Sequence, residues 1–141
     1  MKIDGTRSND RAIEIVLGYY NAFNRGDWAG MLTLLADGVV HEVNQGPREV
    51  GKPAFAAFLQ RMETRYSEQL SNIVVMAAPD GHRAAAEYLL QGTYIADAAG
   101  MTPARGQKYV LPGGAFFDIR DNRIQRISNY YNQQEWISQV G

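Results

Sequence analysis

Hydrophobic positions in the first part of the chain recur every three or four residues. Between residues 12 and 23 this spacing predicts an amphipathic helix that begins at the cap candidate Asp10. Gly26 supplies a stop signal for that helix. Asp27 can cap a short second helix that runs through Leu35. The chain therefore opens with two helices joined by a tight break.

A strand and a third helix are predicted next. The turn signal at Asp37-Gly38 precedes Val39–Asn44, which is typical of a strand. Gly46-Pro47 interrupts that strand, and Pro53 suits the first turn of a helix, where its missing N–H group loses no helical bond. This third helix presents an apolar seam, formed by Phe55, Leu59, Met62 and Tyr66.

From Asn72 onward the pattern changes to short alternating runs separated by turn residues. Four runs are typical of strands, at 73–76, 84–94, 107–119 and 124–131. Trp136 lies in a short tail that can pack as a terminal helical turn. Helices, one strand, a helix and a long antiparallel meander predict an α+β fold in a single domain, residues 1–141.

Composition narrows the classes of function. The chain has 141 residues, a net charge of −1 and no cysteine. A net charge so close to zero gives no sign of a basic surface for binding nucleic acid or an anionic membrane. Because the chain has no cysteine, it cannot form a disulfide or a thiolate metal site. No apolar run reaches the ~20 residues of a membrane span. The N-terminus lacks the apolar core of a secretory signal, which predicts a cytoplasmic protein.

The order of motifs in Gly18–Trp28 and Leu34–Glu42 resembles the opening of the nuclear-transport-factor-like fold. Ketosteroid isomerase and the SnoaL-type polyketide cyclases belong to that superfamily. The resemblance implies a cone-shaped, curved mixed sheet packed with three N-terminal helices, and a site in the mouth of the cone. It also implies a homodimer formed through the outer sheet face, where the aromatic residues of the second half would be covered.

The resemblance implies three candidate catalytic residues. Tyr19 falls at the position of the isomerase's oxyanion-hole tyrosine, and His41 and Glu42 stand at or next to the position of its base. Successive strand residues point to opposite faces, so only one of His41 and Glu42 can enter the cone. An inward Glu42 would be a carboxylate base with a raised pKa, whereas an inward His41 would titrate near neutrality.

Further polar and aromatic residues are candidates for ligand binding. These are Asn44, Tyr88, Phe116 and Tyr130. The isomerase's second oxyanion donor, a protonated aspartate, matches Gly114 or Ala115 here, so weak steroid isomerase activity is expected. Two histidines far apart in sequence, without a carboxylate cluster at ligand spacing, predict no metal site.

These observations favour an enzyme that isomerises or cyclises a small, largely apolar carbonyl compound by proton transfer, with no external cofactor. The alternative is a non-catalytic module that binds a small ligand or another protein with the same fold. A buried carboxylate or histidine within reach of Tyr19 would favour the enzyme. A pocket lined only by apolar groups would favour the binding module.

Overall fold

Helices pack against the concave face of one curved, six-stranded sheet. The computed structural model describes residues 7–43 and 46–141. Its elements follow the chain in this order: α1 Ser8–Arg25, α2 Trp28–Thr33, β1 Leu35–Val43, β2 Glu49–Val50, α3 Lys52–Arg65, β3 Tyr66–Ala77, β4 Arg83–Tyr94, β5 Lys108–Arg120, β6 Arg123–Tyr131 and α4 Gln133–Val140.

The sheet is mixed. Its strand order is β2-β1-β6-β5-β4-β3, in which β1 and β6 run parallel and every other pair is antiparallel. The long meander β3–β6 thus forms one continuous surface, and β1 joins it at the far edge. The predicted α+β fold with a curved mixed sheet and three N-terminal helices is confirmed.

Local signals set most helix ends. Gly26 adopts the left-handed conformation (φ 69°) and its N–H group bonds to the carbonyls of the last turn of α1. The Asp27 carboxylate accepts a hydrogen bond from the Gly30 N–H, as expected of a cap. The predicted cap Asp10 is wrong, because α1 begins earlier, at Ser8, and Asp10 lies in its first turn. An acidic side chain there still complements the helix dipole.

The hydrophobic core lies between α1, α3 and the concave face of the sheet. Val16, Leu35, Phe117 and Ile127 are all fully buried there. A second, smaller cluster fills the end of the sheet beneath α4. It is built around Trp136, with Tyr94, Tyr109, Leu111 and Val140. The C-terminal tail is therefore a helix of two turns that closes one end of the fold.

Two inward-facing glycines make room for tyrosine rings from neighbouring strands. A Cβ atom added at Gly92 would lie 2.3 Å from Cζ of Tyr109, and one added at Gly113 would lie 2.7 Å from Cε1 of Tyr88. Such distances are far below van der Waals contact, so a side chain at either position would displace the tyrosine ring. The rings can consequently lie across the adjacent strand, which determines where their hydroxyls reach.

Candidate functional site

A cavity of about 260 Å³ opens between α1, α3, α4 and the concave face of the sheet. Its wall is mainly aromatic and aliphatic, with a few phenol, amide and carboxyl groups among them. The helices contribute Tyr19, Tyr20, Phe55 and Phe58 to this wall, and the strands contribute Glu68, Tyr88, Asn129 and Tyr131. An apolar pocket with few polar groups is the usual form of a small-molecule site.

Tyr19 lies in the cavity wall on the inward face of α1. Its ring contacts Phe55 and Phe117, with centroids 6.4 and 5.9 Å away. Burial, and to a lesser extent the neighbouring Tyr88, raises the pKa of Tyr19 well above that of a free phenol. The group therefore stays protonated at physiological pH, so it can donate a hydrogen bond but cannot act as a base.

Tyr20 adds a second phenol to the same wall. Its ring lies edge-on to that of Tyr19, with centroids 5.2 Å apart, and 5.4 Å from the ring of Tyr88. The Tyr20 hydroxyl is buried near Tyr88 but makes no well-formed hydrogen bond with any described residue. Since buried hydroxyls are nearly always satisfied, the Tyr20 hydroxyl is a candidate donor for a ligand oxygen.

His41 points inward from β1 but lies behind the cavity wall. Its ring packs edge-to-face against Phe55 and Phe58, at 4.9 and 4.5 Å. The Asn129 amide, which lines the cavity, is 3.1 Å from Nε2 of His41. Because an amide nitrogen only donates, Nε2 accepts and the ring proton sits on Nδ1, 3.9 Å from Glu49 Oε1.

The protonation state of His41 follows from its surroundings. Burial lowers the pKa of His41, and the nearby Glu49 only partly opposes this effect. The imidazole is therefore neutral at pH 7. It acts on the cavity through the Asn129 side chain, which it orients.

Glu42 takes the opposite face of β1, as strand alternation requires. Its carboxylate accepts a hydrogen bond from Arg126 at 3.1 Å, and Arg126 also binds Asp118 on β5. These side chains lie on the outer face of the sheet. The interpretation of Glu42 as an inward base is therefore corrected: His41, and not Glu42, faces the interior.

Two candidate ligand-binding residues also lie on the outer face. Phe116 and Tyr130 are half exposed and contact each other edge-to-face at 5.6 Å. Their neighbours Phe117 and Tyr131 take the interior positions instead. Phe116 and Tyr130 therefore do not line this cavity, and their role as ligand-binding residues stays a prediction. Asn44 lies outside the described residues.

The position of the isomerase's second donor is occupied by small residues packed in the core. Ala115 faces inward, is almost fully buried and pairs with Ala86 on β4. The adjacent Gly114 carries no side chain and belongs to the other face. An acid is therefore lacking at this position.

Sequence reasoning missed Glu68, a carboxyl group in the cavity wall. Glu68 lies near the start of β3, between Tyr66, the last residue of the predicted helical seam, and Asn72, where the predicted strand pattern begins. The Tyr109 hydroxyl donates a hydrogen bond to Glu68 Oε2 at 2.6 Å. Burial raises the pKa of Glu68, and this hydrogen bond only partly opposes the shift. Alternation from Tyr66 to Leu70 was the available signal for an inward Glu68.

Comparison with known proteins identifies the family. Residues 16–127 match the model of the SnoaL-like domain, so the chain belongs to the SnoaL-like family. No protein of curated function matches the chain. Among the described residues no helix is long and apolar enough to cross a membrane, and no three potential metal-ligand side chains converge.

Solved structures give close neighbours. A proposed polyketide cyclase from Xanthomonas campestris is 57% identical, with a TM-score of 0.93 over 95% of this chain and 99% of that one. A proposed polyketide cyclase from Pseudomonas putida is 47% identical, with a TM-score of 0.90 over 97% of this chain and 100% of that one. A Mycobacterium tuberculosis epoxide hydrolase, 20% identical with a TM-score of 0.73 over 96% of this chain and 88% of that one, shares the fold.

Proposed function

We propose that the protein binds a small, largely apolar carbonyl compound and isomerises or cyclises it by proton transfer, without an external cofactor. The observation that carries the proposal is the largely aromatic cavity, whose wall includes Tyr19 and Tyr20. Membership of the SnoaL-like family and the likeness to proposed polyketide cyclases support it.

The two phenols suit a developing negative charge on oxygen. Proton abstraction next to a carbonyl leaves an enolate, which is stabilised by donors fixed in a dry pocket. Tyr19 stays protonated and Tyr20 has a hydroxyl that lacks a well-formed bond. Asn129, held by His41, offers an amide from the opposite wall. These groups bind and polarise the carbonyl oxygen.

Exchange of α-protons tests this function. The ketone 2-tetralone is a compact, apolar carbon acid whose exchange in D₂O is followed by proton NMR. The wild-type protein should accelerate exchange above the rate in buffer, and Tyr19→Phe should lower that acceleration by about 10²–10³-fold, the usual cost of losing one oxyanion donor. Tyr130→Phe is the matched control, because its hydroxyl lies on the outer face. Equal rates for Tyr19→Phe and Tyr130→Phe would contradict the assignment.

One observation favours the alternative, a non-catalytic ligand-binding module. Neither of the bases expected from sequence borders the cavity: His41 lies behind Asn129, and Glu42 is on the outer face. A module that only binds would bind 2-tetralone without accelerating the exchange of its protons. It would also bind tetralin, the unreactive analogue that lacks the carbonyl oxygen of 2-tetralone. Saturable binding of the ketone together with a background exchange rate would select this alternative.

The proposal includes a homodimer formed through the outer sheet face, and a cytoplasmic location. Exposed apolar side chains concentrate on that face: Val74, Met76, Val110, Phe116 and Tyr130. Apolar patches of this kind in soluble proteins mark interaction sites. A second copy of the chain is the proposed occupant, because superfamily members commonly pair in this way.

A further inference from the structure

Proton transfer in the proposed function requires a base in the cavity. The cavity wall contains one carboxyl group to which the proposed function gives no role. Glu68 is the single acidic residue among the described residues that line the cavity. It lies on the concave face of β3, at the end of the cavity that α4 closes. Trp136 of α4 lines the same cavity.

Glu68, Gly92 and Tyr109 form one row across three strands. Glu68 on β3 pairs with Gly92 on β4, which pairs with Tyr109 on β5. Two strand spacings separate the outer members of the row, about 9–10 Å. The Tyr109 ring lies over Gly92, so its hydroxyl reaches Glu68 Oε2. The glycine therefore makes the contact possible.

The charged and titratable groups that surround Glu68 are mainly phenols. Tyr66 from its own strand, Tyr88 from β4, Tyr109 from β5 and Tyr131 from β6 are near enough for a charge on Glu68 to raise their pKa values. Within the described part of the chain, no basic side chain pairs with Glu68. A carboxylate without a cation in an apolar cavity is a stronger base than one in water.

Only one of the two carboxylate oxygens is engaged by the protein. Tyr109 donates to Oε2, and among the described residues nothing donates to Oε1. A carboxylate held at one oxygen and unengaged at the other has a fixed orientation and a lone pair available to a ligand. A carboxylate with a structural role is typically paired with a basic side chain, as the outward Glu42 is with Arg126.

We propose that Glu68 is the catalytic acid–base residue of the cavity, with Tyr109 as the residue that positions it. This inference rests on the proposed function. Glu68 takes a proton from the carbon next to the ligand carbonyl, so that a C–H bond breaks, an O–H bond forms at Glu68 and the electron pair moves to the carbonyl oxygen. Neutral Glu68 then returns the proton to carbon. The substrate class is an enolisable ketone.

Binding of an enol analogue tests the role of Glu68 without depending on turnover. The anion of the phenol 2-naphthol mimics the enolate formed when Glu68 has gained a proton. Each affinity is therefore expressed against the concentration of this anion at the pH of the assay, so that the proton on Glu68 comes from solvent and not from the ligand. Glu68→Gln mimics protonated Glu68 permanently. At one pH unit above the pKa of Glu68, only about a tenth of the wild-type carboxyl is protonated, so Glu68→Gln should bind about tenfold more tightly. Its affinity should also lose the pH dependence of the wild type.

The variants include a matched control and a positioning variant. Glu87→Gln alters an exposed glutamate on the neighbouring strand and should bind 2-naphthol like the wild type. Tyr109→Phe removes a hydrogen bond that favours the carboxylate, so the pH at which affinity begins to fall should move upward. If Tyr109 had only a structural role, Tyr109→Phe would lower the affinity at every pH without changing the pH at which the affinity begins to fall. Circular dichroism verifies that each variant folds.

Exchange of 2-tetralone protons separates failure of this inference from failure of the proposed function. If the wild type accelerates exchange, Glu68→Gln should abolish the acceleration. If Glu68→Gln still accelerates exchange and binds 2-naphthol with unchanged affinity, Glu68 is not the base. The proposed function would then still stand. A wild type that neither binds 2-naphthol nor accelerates exchange would overturn the proposed function, and Glu68 as its base with it.

Discussion

Gly92→Ala is the substitution whose effect the structure determines most directly. The added Cβ would lie 2.3 Å from Cζ of Tyr109 and 2.5 Å from its hydroxyl oxygen. The backbone at Gly92 is not left-handed, so alanine fits the local conformation. Steric conflict with the Tyr109 ring is therefore the dominant effect, and the ring must leave its place above β4.

The magnitude follows from three contributions. Overpacking a filled interior costs about 1–3 kcal/mol, and losing the Tyr109 hydrogen bond to a carboxylate costs about 1.5–3 kcal/mol. The lower chain entropy of alanine in the unfolded state returns about 0.5–1 kcal/mol. The free energy of unfolding should therefore fall by about 2–5 kcal/mol.

Equilibrium unfolding in urea, at one fixed protein concentration, measures this loss. Gly38→Ala is the control, because nothing lies within 4 Å of its added Cβ and Gly38 is exposed. In a Tyr109→Leu background, which lacks the clashing atoms, Gly92→Ala should cost less than about 1 kcal/mol. If Gly92→Ala unfolds at the same urea concentration as Gly38→Ala, the Tyr109 ring does not lie across Gly92 and the placement of Glu68 fails with it.

Two further predictions concern His41 and the outer face. Burial lowers the pKa of His41, so its contribution to stability is complete above its unfolded pKa near 6.5 and is lost as the pH falls through the folded pKa. In urea titrations between pH 7 and 4, His41→Gln should reduce the decrease in the free energy of unfolding with falling pH. The control His82→Gln, at an exposed position, should leave that decrease as it is in the wild type. Light scattering should show the proposed dimer for the wild type and for Ile137→Lys on α4, and a folded monomer for Phe116→Lys. A dimer that survives Phe116→Lys would refute the proposed outer-face interface.

The sequence predicted the helices and the meander well because their signals are local. The helical repeat before Gly26, the Asp27 cap and the proline at the start of α3 each act within one or two turns of chain. The start of β3 was missed by several residues. Its first half is polar, with Leu70 as the buried residue, and only pairing with β4 reveals the strand.

The inward or outward direction of strand residues could not be predicted in the same way. It depends on register, and β1 has an irregularity between Leu35 and Val40 where it pairs with β6. After this irregularity His41 pairs with Ile127 and faces inward, and Glu42 pairs with Ser128 and faces outward. On β5 and β6 the pairs Phe116-Phe117 and Tyr130-Tyr131 likewise fill both faces, and hydrophobicity alone does not say which member is inside.

The contact between Glu68 and Tyr109 was beyond sequence reasoning, because the two residues lie two strands apart. The Glu68–Tyr109 contact requires β3, β4 and β5 in register and a glycine at the crossing point. Gly113 plays the same part for Tyr88, whose ring lies across β5. The positions of Tyr109 and of the cavity phenol Tyr88 are thus encoded by residues that carry no functional group themselves. A side chain at Gly92 or Gly113 would displace the polar group above it while leaving every acid and phenol of the site in the sequence. A family member's chemistry should therefore be judged from these two small positions together with its polar residues.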